Sequence, residues 1–456
     1  MGTVQAKEKQ TMVRVPVEQA PVLDFKKDVR VDRVNVTGLK RTKDDFIKPI
    51  VRELFHATNF GDVLVKADKV HRRLENLECF KNIEIFVDTS KGPKASPDGI
   101  EVTFDVTEMN WLLGSVNAMA GSEEAALVVG GRAPNILGRG EKVQLEYTHS
   151  NTHNTNMALS VSKPLVNMKS NAKIKSSIYQ SNASFGASGF NEQDRAANIA
   201  FEFNSAPNVH HTVLWEAVWR YLDSTTRTVP MSVREQNGHS MKSSLIHSIT
   251  MDRRNKPVFP SSGTLIDITT EFAGLGGDVG FVKNEIKMQA NVSLFKDFVL
   301  QGTLQKGLLS EYSDNKTSHI CDRFFLGGAT SVRGFEFRGL GPHEDNISLG
   351  SELYWAAGLH LYAPLPFKVF ERNFGDFFRT HLFVNAGNLG KFDSGMDYRD
   401  FFKQMVASAR MSCGAGLAVR IGNSARFEIN YCVPVSVQQG DRPIKGCQLG
   451  VGISFL

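Results

Sequence analysis

Apolar and polar residues alternate strictly, in segments of about ten residues, throughout the last three-quarters of the chain. The segment EKVQLEYTHS places Val143, Leu145 and Tyr147 on one side of an extended strand. The segments HTVLWEAVWRYLD, EIKMQANVSLF and QLGVGISFL follow the same rule. Strands of soluble sandwiches usually have about five or six residues, and those of membrane barrels about nine to eleven. The long segments therefore favour a transmembrane barrel, with a soluble β-sandwich as the alternative.

Length sets the number of strands in such a barrel. At roughly 20 to 22 residues for a strand and its connection, residues 111–456 accommodate about sixteen strands. The negative mean hydropathy of the chain agrees with this, because half of every strand faces a wet interior. No apolar run is long enough for a transmembrane helix, and residues 1–30 contain no apolar segment of the signal-peptide kind.

The N-terminal part of the chain has a different pattern. Residues 1–28 are polar, which predicts a flexible tail. Residues 29–110 contain three alternating segments and two segments with helical spacing, the second marked by Ala67 and Val70. The predicted order is β-α-α-β-β, a small α+β domain. Because Pro49 interrupts the first helical segment, we expect a kink or a later helix start there.

Motifs for catalysis, cofactors and metals do not occur in the sequence. The five cysteines are widely spaced and never form Cys-x-x-Cys, which argues against a zinc site and against a disulfide framework. Neither a phosphate-binding Gly-x-x-x-x-Gly-Lys-Ser/Thr loop nor a Gly-x-Ser-x-Gly elbow is present. His149 and His153 belong to strand or loop sequence without His-Glu-x-x-His, so we expect no metal there. We therefore predict neither an enzyme nor a cofactor.

Charge gives no indication of a nucleic-acid partner. The formal net charge is +5, with acidic and basic residues interspersed. Dense basic runs with interleaved aromatic residues, which nucleic-acid binding favours, do not occur.

A long loop predicted late in the chain, over residues 312–347, carries an arginine with apolar neighbours. In GGATSVRGFEFRGLGP, Arg333 lies between Val332 and Phe335, with Gly334 beside it. Glycine allows the backbone to approach a neighbouring surface closely. Long loops in compact proteins are usually functional. The pattern predicts an arginine held in place, with a solvated loop arginine as the alternative.

The order of these features resembles that of the bacterial outer-membrane barrel-assembly proteins and their organellar relatives. The β-α-α-β-β module is similar to a polypeptide-transport-associated (POTRA) domain. NILGRG early in the barrel, DRRNKPVFPSSG in its middle and the Val-Arg-Gly-Phe loop occur in the family's order. One POTRA domain, without a signal peptide, makes the resemblance closest to the mitochondrial branch, the core barrels of the sorting and assembly machinery.

The resemblance implies a fold, a location and partners. It implies a sixteen-stranded barrel over residues 111–456 in the mitochondrial outer membrane, with the POTRA domain over residues 29–110 in the intermembrane space. The implied function is the assembly and insertion of β-barrel precursors. Implied partners are precursors such as the voltage-dependent anion channel and the general translocase pore, metaxin-like peripheral subunits, and outer-membrane lipid.

In this family the loop arginine turns into the lumen and meets acidic or polar groups of late strands. In RFEIN, Glu428 lies on the side opposite Phe427 and Ile429, so we expect it to face the lumen and to pair with Arg333. Asn385 is the second expected partner. The bacterial pattern has an aspartate at this position, so the neutral amide offers a hydrogen bond in place of an ion pair.

The first and last strands form the expected lateral seam, between residues 111–119 and 446–456. Opening a closed barrel creates a free edge, and unpaired backbone groups are costly in hydrocarbon. A precursor strand can therefore be captured there by main-chain pairing. The last strand fits a polar-x-Gly-x-x-apolar-x-apolar signal of the kind that family precursors carry, although any terminal barrel strand would look similar. The predicted seam residues are Leu113, Ser115, Asn117, Gln448, Gly450, Ile453 and Phe455.

Three other functions remain open at this point. A polypeptide-conducting channel of the same superfamily, as in organellar protein import, would be favoured by additional POTRA domains. A solute porin needs neither the N-terminal module nor the arginine loop. A soluble scaffold would be released from membranes by carbonate extraction.

Overall fold

The computed structural model describes residues 25–91, 95–121, 124–166, 168, 171–295, 297–312, 318–365, 377–391, 397–422, 425–452 and 455–456. Most of the predicted flexible tail lies outside the described residues. The chain forms two compact units. No helix in the described part of the chain combines the length and apolarity needed to cross a bilayer.

The smaller unit contains a three-stranded sheet. Its strands are β1 (Arg30–Thr37), β2 (Phe80–Thr89) and β3 (Gly99–Glu108), in the order β1-β3-β2. Strand β1 runs parallel to β3, and β2 runs antiparallel to it. Between β1 and β2 the chain forms α1 (Asp44–Val51), a 3-10 helix (Arg52–His56) and α2 (Phe60–Asn76). The element order is the predicted β-α-α-β-β.

Helix α2 forms because its apolar residues fall on one face. Val63, Ala67, Val70 and Leu74 are buried and are spaced three or four residues apart. They contribute to the hydrophobic core of the smaller unit together with the fully buried Phe104 of β3.

Pro49 does not delay the first helix. Helix α1 begins at Asp44, before the proline, and continues past it as the 3-10 helix from Arg52. Of the two alternatives expected at Pro49, a kink or a later helix start, the later start is therefore wrong. A proline removes one main-chain hydrogen bond, and the tighter 3-10 geometry lets the chain keep turning beyond that point.

The larger unit contains long strands, two further short helices and a hairpin of two two-residue strands. The helices are α3 (Met231–Arg234) and α4 (Tyr398–Ala407). The strands are β4 (Leu113–Ala120), β5 (Ala125–Pro134), β6 (Lys142–Ser150), β7 (Thr155–Pro164), β8 (Lys173–Phe185), β9 (Phe190–Ala206), β10 (Val209–Ser224), β11 (Gly238–Asp252), β12 (Gly263–Gly277), β13 (Phe281–Ser293), β14 (Val299–Glu311), β15 (His343–Glu344), β16 (Ile347–Ser348), β17 (Leu353–Pro364), β18 (Phe378–Gly390), β19 (Arg410–Ile421), β20 (Ala425–Ser436) and β21 (Gly446–Gly452).

Sixteen of these strands form one antiparallel sheet. The sheet follows the chain from β4 to β21, with β14 paired directly to β17 and the hairpin β15-β16 left outside it. The predicted number of strands is confirmed. Strands β4 and β21 are the two edges of the sheet, and no ladder joins them among the described residues.

The two faces of the sheet differ as the alternation predicts. In β6, Leu145 and Tyr147 are exposed, as membrane-facing side chains would be. In β20, Arg426, Glu428 and Asn430 are buried on the opposite face. We call this second face the inner face.

The connection between β14 and β17 lies against the inner face. We call its described part, residues 318–352, the inner loop. It contains a 3-10 helix at Ile320–Asp322 and the hairpin β15-β16. An apolar core cluster joins the loop to the sheet, with members Phe324, Leu326, Val332, Phe335 and Leu340 from the loop and Ala273, Phe281, Leu309, Tyr354, Ala356 and Leu389 from the strands.

Candidate functional site

Arg333 of the inner loop is fully buried against the inner face of β20. Its Nη2 lies 2.9 Å from Oε2 of Glu428, and its Nε donates to the same oxygen at 3.3 Å. Both side chains have no exposed surface. The structure thus brings together the arginine and the carboxylate that the sequence predicted as its partner.

Further groups surround the Glu428 carboxylate. Arg426 Nε lies 3.0 Å from Oε1, and Asn430 Nδ2 donates to Oε2 at 2.9 Å. His381 and Asn430 are joined by a hydrogen bond of 3.1 Å, and His360 and His381 by one of 2.9 Å. Because Arg426, Glu428 and Asn430 alternate along one strand, the period of two alone brings these three polar side chains to the same place.

Apolar neighbours keep the guanidinium in position. Val332 and Phe335, which flank Arg333 and Gly334, are fully buried in the core cluster. The guanidinium carbon lies 5.1 Å from the ring centre of Phe383, within cation–π range. Burying two opposite charges is costly unless the geometry is good and other hydrogen bonds complete it. Arg333 meets both conditions through its bonds to Glu428 and to the Leu456 backbone oxygen, whereas Glu428 Oε1 has the ion-pair contact with Arg426 and no hydrogen bond.

Gly334 is needed for the backbone path. Its φ is +81°, which is strained for a residue with a side chain. A Cβ atom there would lie 3.1 Å from Cβ of Ser412. Glycine therefore allows the loop both to turn and to approach β19 at this point.

Asn385 contacts the backbone of Ser331 and not the predicted partner, the Arg333 side chain. Its Nδ2 donates to the backbone oxygen of Ser331 at 3.2 Å, and Arg333 donates instead to Glu428 and to the Leu456 backbone oxygen. The structure therefore differs from the expected arginine–amide hydrogen bond. A hydrogen bond to a carboxylate is stronger than one to a neutral amide, which explains where the guanidinium turns.

The loop backbone also contacts the last strand. Gly334 N–H donates to Oε1 of Gln448 at 3.0 Å, and Gln448 Nε2 donates to the Phe335 backbone oxygen at 3.0 Å. The segment before β21 is held in the same way, because Ile444 N–H donates to the Gly334 oxygen at 2.9 Å. Gln448 thus ties β21 to the Val-Arg-Gly-Phe segment.

Phe455 does not continue the alternation of the last strand. The described strand β21 ends at Gly452, and the Phe455 ring is buried beneath Arg426, whose guanidinium carbon lies 4.1 Å from the ring centre. Leu456 N–H donates to the Thr330 oxygen of the inner loop at 3.0 Å. The expectation of a regular strand to the last residue is wrong here, because two buried arginines attract the aromatic face. The predicted seam residue Ile453 lies outside the described residues.

A second buried ion cluster holds the inner loop at Asp322. Arg220 Nη1 of β10 donates to both carboxylate oxygens at 3.0 Å, and Lys242 Nζ of β11 lies 3.5 Å from Oδ1. Lys283 of β13 donates to the Asp322 backbone oxygen at 2.8 Å. Burial alone would raise the pKa of Asp322, but Arg220 and Lys242 outweigh it and hold the pKa below its ordinary value. The carboxylate is therefore ionised near neutral pH.

Sequence reasoning missed the Asp322 cluster. The available signal was the set of charged residues on the polar side of long alternating segments, such as Arg220 and Lys242, which must find partners on an inner face. The sequence alone does not reveal which loop carboxylate meets them. Within the described residues, no group of three or more His, Cys, Asp or Glu side chains is arranged to hold a metal ion.

The turn between β11 and β12, residues 253–262, folds onto the inner face. Val258 and Phe259 are buried against Val299, Tyr362 and Ala418, which belong to β14, β17 and β19. The Phe259 φ of +51° is unusual for an aromatic residue. The turn is thus packed against strands that are distant from it in the sheet.

The predicted seam residues of the first strand lie on β4. In the ladder between β4 and β5 they are paired with Arg132, Gly130 and Val128, in the order Leu113, Ser115 and Asn117. Along the other side of β4 no strand is paired in the described part of the chain, and the same holds for the outer side of β21. Both edges therefore present main-chain groups that a further strand can bind.

Comparisons with known proteins agree with this architecture. The Omp85 superfamily domain matches residues 135–455. The chain is 42% identical over 447 residues to sorting and assembly machinery component 50 homolog B of Xenopus laevis, covering 98% of this chain and 94% of the relative. It is 41% identical over 451 residues to the sorting and assembly machinery component 50 homolog of Homo sapiens, covering 98% and 95%.

A solved bacterial structure has the same fold. BamA from Haemophilus ducreyi, lacking POTRA domains 1–3, superimposes with a TM-score of 0.73 at 18% identity, covering 94% of this chain and 85% of that one. The sixteen-stranded unit is accordingly a membrane β-barrel of this type. The chain belongs to the Omp85 superfamily and, within it, to the family of the sorting and assembly machinery component 50 homologues.

Proposed function

We propose that the chain assembles β-barrel precursors and inserts them into the mitochondrial outer membrane by pairing their strands at the seam between β4 and β21. Membership of the family supports assembly of barrel proteins as the activity. The single observation that carries the mechanism is that β4 and β21 are the two ends of the described sheet and that no ladder joins them there. In hydrocarbon, unpaired N–H and C=O groups cost several kcal/mol each, which favours capture of an incoming strand.

The inner loop supports assembly over conduction. Ion clusters tie it to β10 and β11 at Asp322 and to β20 at Glu428. A loop anchored at two separated parts of the inner face is poorly placed for threading an extended chain through the lumen. We therefore favour lateral exit over a polypeptide-conducting channel or a solute porin.

The same proposal includes domains, location and partners. We divide the chain into a flexible tail (residues 1–28), a POTRA domain in the intermembrane space (29–110) and the membrane barrel (111–456). The proposed partners are precursors such as the voltage-dependent anion channel and the general translocase pore, metaxin-like peripheral subunits, and outer-membrane lipid. Protease digestion of residues 1–110 only after rupture of the outer membrane would support this orientation, and digestion in intact mitochondria would contradict it.

A cysteine lock across the seam tests the mechanism. Cys447 is an exposed native thiol on the outer face of β21, so the lock needs one new cysteine on the same face of β4, scanned over Gly114, Val116 and Ala118. Mitochondria that contain only the locked chain receive a labelled barrel precursor, and its assembly is followed on native gels. We expect oxidation to stop assembly and a reductant to restore it.

Two controls isolate the seam. The same β4 cysteine in a Cys447→Ser background cannot form the lock. A pair at Val129 and Tyr147, which are exposed and directly opposed on the paired strands β5 and β6, cross-links the barrel without closing the seam. Undiminished assembly by a fully locked seam would remove lateral exit from the mechanism.

A further inference from the structure

A basic side chain without a protein partner lies on the outer face of the barrel, the face opposite the inner face. Arg195 of β9 is exposed and shares its side of the strand with the exposed Ile199, whereas the intervening Ala196 is buried. Within the described part of the chain, the Arg195 side chain forms no ion pair and no hydrogen bond. The outer face of a membrane barrel meets lipid, so this guanidinium needs an anion from outside the protein.

Other hydrogen-bond donors lie beside Arg195 in one row across the strands. In the ladder between β9 and β10, Arg195 is paired with Trp219, and its guanidinium carbon lies 5.8 Å from the centre of the Trp219 ring. In the ladder between β8 and β9 it is paired with Gln180, which is also exposed. A guanidinium, a side-chain amide and an indole N–H all donate hydrogen bonds, so the row presents donors on a surface that faces lipid.

The row lies toward one surface of the membrane. Strand β9 begins at Phe190 and β10 ends at Ser224, both at the edge of the sheet from which the inner loop extends. Arg195 and Trp219 lie in the halves of their strands nearer to that edge. Tyr221, also exposed, follows Trp219 on the same face. Tryptophan and tyrosine collect at the level of the lipid headgroups, which places the donors close to headgroup phosphates.

The outer face changes character toward the centre of the bilayer. Arg195 and Trp219 are followed there by Ala197 and Ala217, which are paired with each other in the ladder. Their small side chains leave space between Trp219 and the exposed Trp215. An acyl chain can lie in this space while its headgroup remains at the row of donors.

We propose that Arg195, Trp219 and Gln180 bind the phosphate of an anionic phospholipid, with one acyl chain lying over the two alanines. A guanidinium matches phosphate geometry with two parallel donors. A zwitterionic lipid carries its own cation, which competes for the phosphate, so a lipid with net negative charge is favoured. The inference depends on the barrel lying in a membrane and is independent of strand capture at the seam.

Quenching of Trp219 fluorescence by brominated lipids in nanodiscs tests the proposal. Trp111, Trp215 and Trp355 are changed to phenylalanine in the full chain, so that Trp219 is the reporter. Discs of phosphatidylcholine receive increasing fractions of dibrominated phosphatidylglycerol or of dibrominated phosphatidylcholine. We expect a roughly fivefold higher relative binding constant for phosphatidylglycerol, which is the attraction that one basic residue near a membrane surface exerts on an anionic lipid.

Two variants of the reporter chain locate the site. Arg195→Gln removes the charge and keeps a polar side chain, and we expect the two lipids then to quench equally. Because the measurement is a ratio of two lipids in the same variant, a small shift in the depth of Trp219 cancels. Lys306→Gln is the matched control, because Lys306 is exposed on the outer face of β14, a strand that adjoins neither β9 nor β10, and this variant should keep the fivefold preference.

Three results would overturn the proposal. Equal quenching by both lipids in the reporter chain would mean that Arg195 attracts no anionic lipid. A preference that persists undiminished in Arg195→Gln would assign the lipid to other groups. A preference lost to the same degree in Lys306→Gln would attribute it to the overall charge of the barrel. The cysteine lock tests the seam separately, so failure here leaves the proposed function standing.

Discussion

Arg333 Nη2 and Glu428 Oε2 lie 2.9 Å apart, and neither side chain is exposed. Arg333→Glu or Glu428→Arg alone places like charges in contact at this buried site, and loss of one partner of such a pair typically costs about 3 to 5 kcal/mol. We expect each single variant to impair assembly of a labelled precursor and to lower the unfolding temperature in detergent. The double variant restores opposite charges and should regain part of both.

An exposed pair between the inner loop and the segment before β21 provides the control for the charge exchange. Arg442 Nη1 and Glu336 Oε2 lie 3.1 Å apart but are partly exposed, and pairs of this kind are worth at most about 1 kcal/mol. Exchanging these two charges should leave assembly nearly unchanged. If the double variant at Arg333 and Glu428 performs no better than either single variant, the pair does not act as a unit.

Asp322→Asn tests the second anchor of the inner loop. The substitution keeps the size of the side chain but leaves Arg220 and Lys242 without the carboxylate, which we expect to cost about 3 kcal/mol of stability. The inner loop should become sensitive to protease in the detergent-solubilised chain. Asp345→Asn, an exposed position in the β15-β16 turn, is the matched control and should behave like the parent.

The pH dependence of this anchor follows from the depressed pKa of Asp322. A carboxylate whose pKa is lower in the folded than in the unfolded state stabilises fully above its unfolded pKa of about 4 and loses that contribution as pH falls through the folded value. The unfolding-temperature difference between the parent and Asp322→Asn should therefore be constant from pH 7 to about pH 5 and shrink in more acidic buffer. A difference that persists unchanged to pH 2 would argue against the ion pair.

The barrel could be predicted from the sequence because the alternation that marks each strand is a local pattern. The alternation in β6 and β20 predicts which side chains share a face of the sheet. It therefore placed Glu428 on the inner face before the fold was known. The pairing with Arg333 came from the family resemblance, since no local pattern relates a loop residue to a strand ninety-five positions away.

The remaining features depend on which parts of the sheet the tertiary structure brings together. Asp322 reaches Arg220 only because the inner loop lies across strands β10 and β11. Phe455 leaves its alternating pattern because buried guanidinium groups offer its ring a better site than an outward position. The alternation of apolar and polar residues along a strand predicts neither contact, because both depend on tertiary structure.

Phe259→Ala tests whether the β11-β12 turn closes part of the lumen. The ring packs 6.0 Å from the Tyr362 ring centre, and Arg379 lies over it at 5.6 Å. Because the backbone of Phe259 is in the unfavourable positive-φ region, the turn depends on ring packing to stay in place, and Phe→Ala in a core typically costs about 3 to 5 kcal/mol. We expect larger and more frequent conductance events in planar bilayers. Phe295→Ala, an exposed aromatic in the β13-β14 turn, is the control and should leave conductance unchanged. Equal conductance of the parent and Phe259→Ala would mean that the inner loop alone closes the lumen.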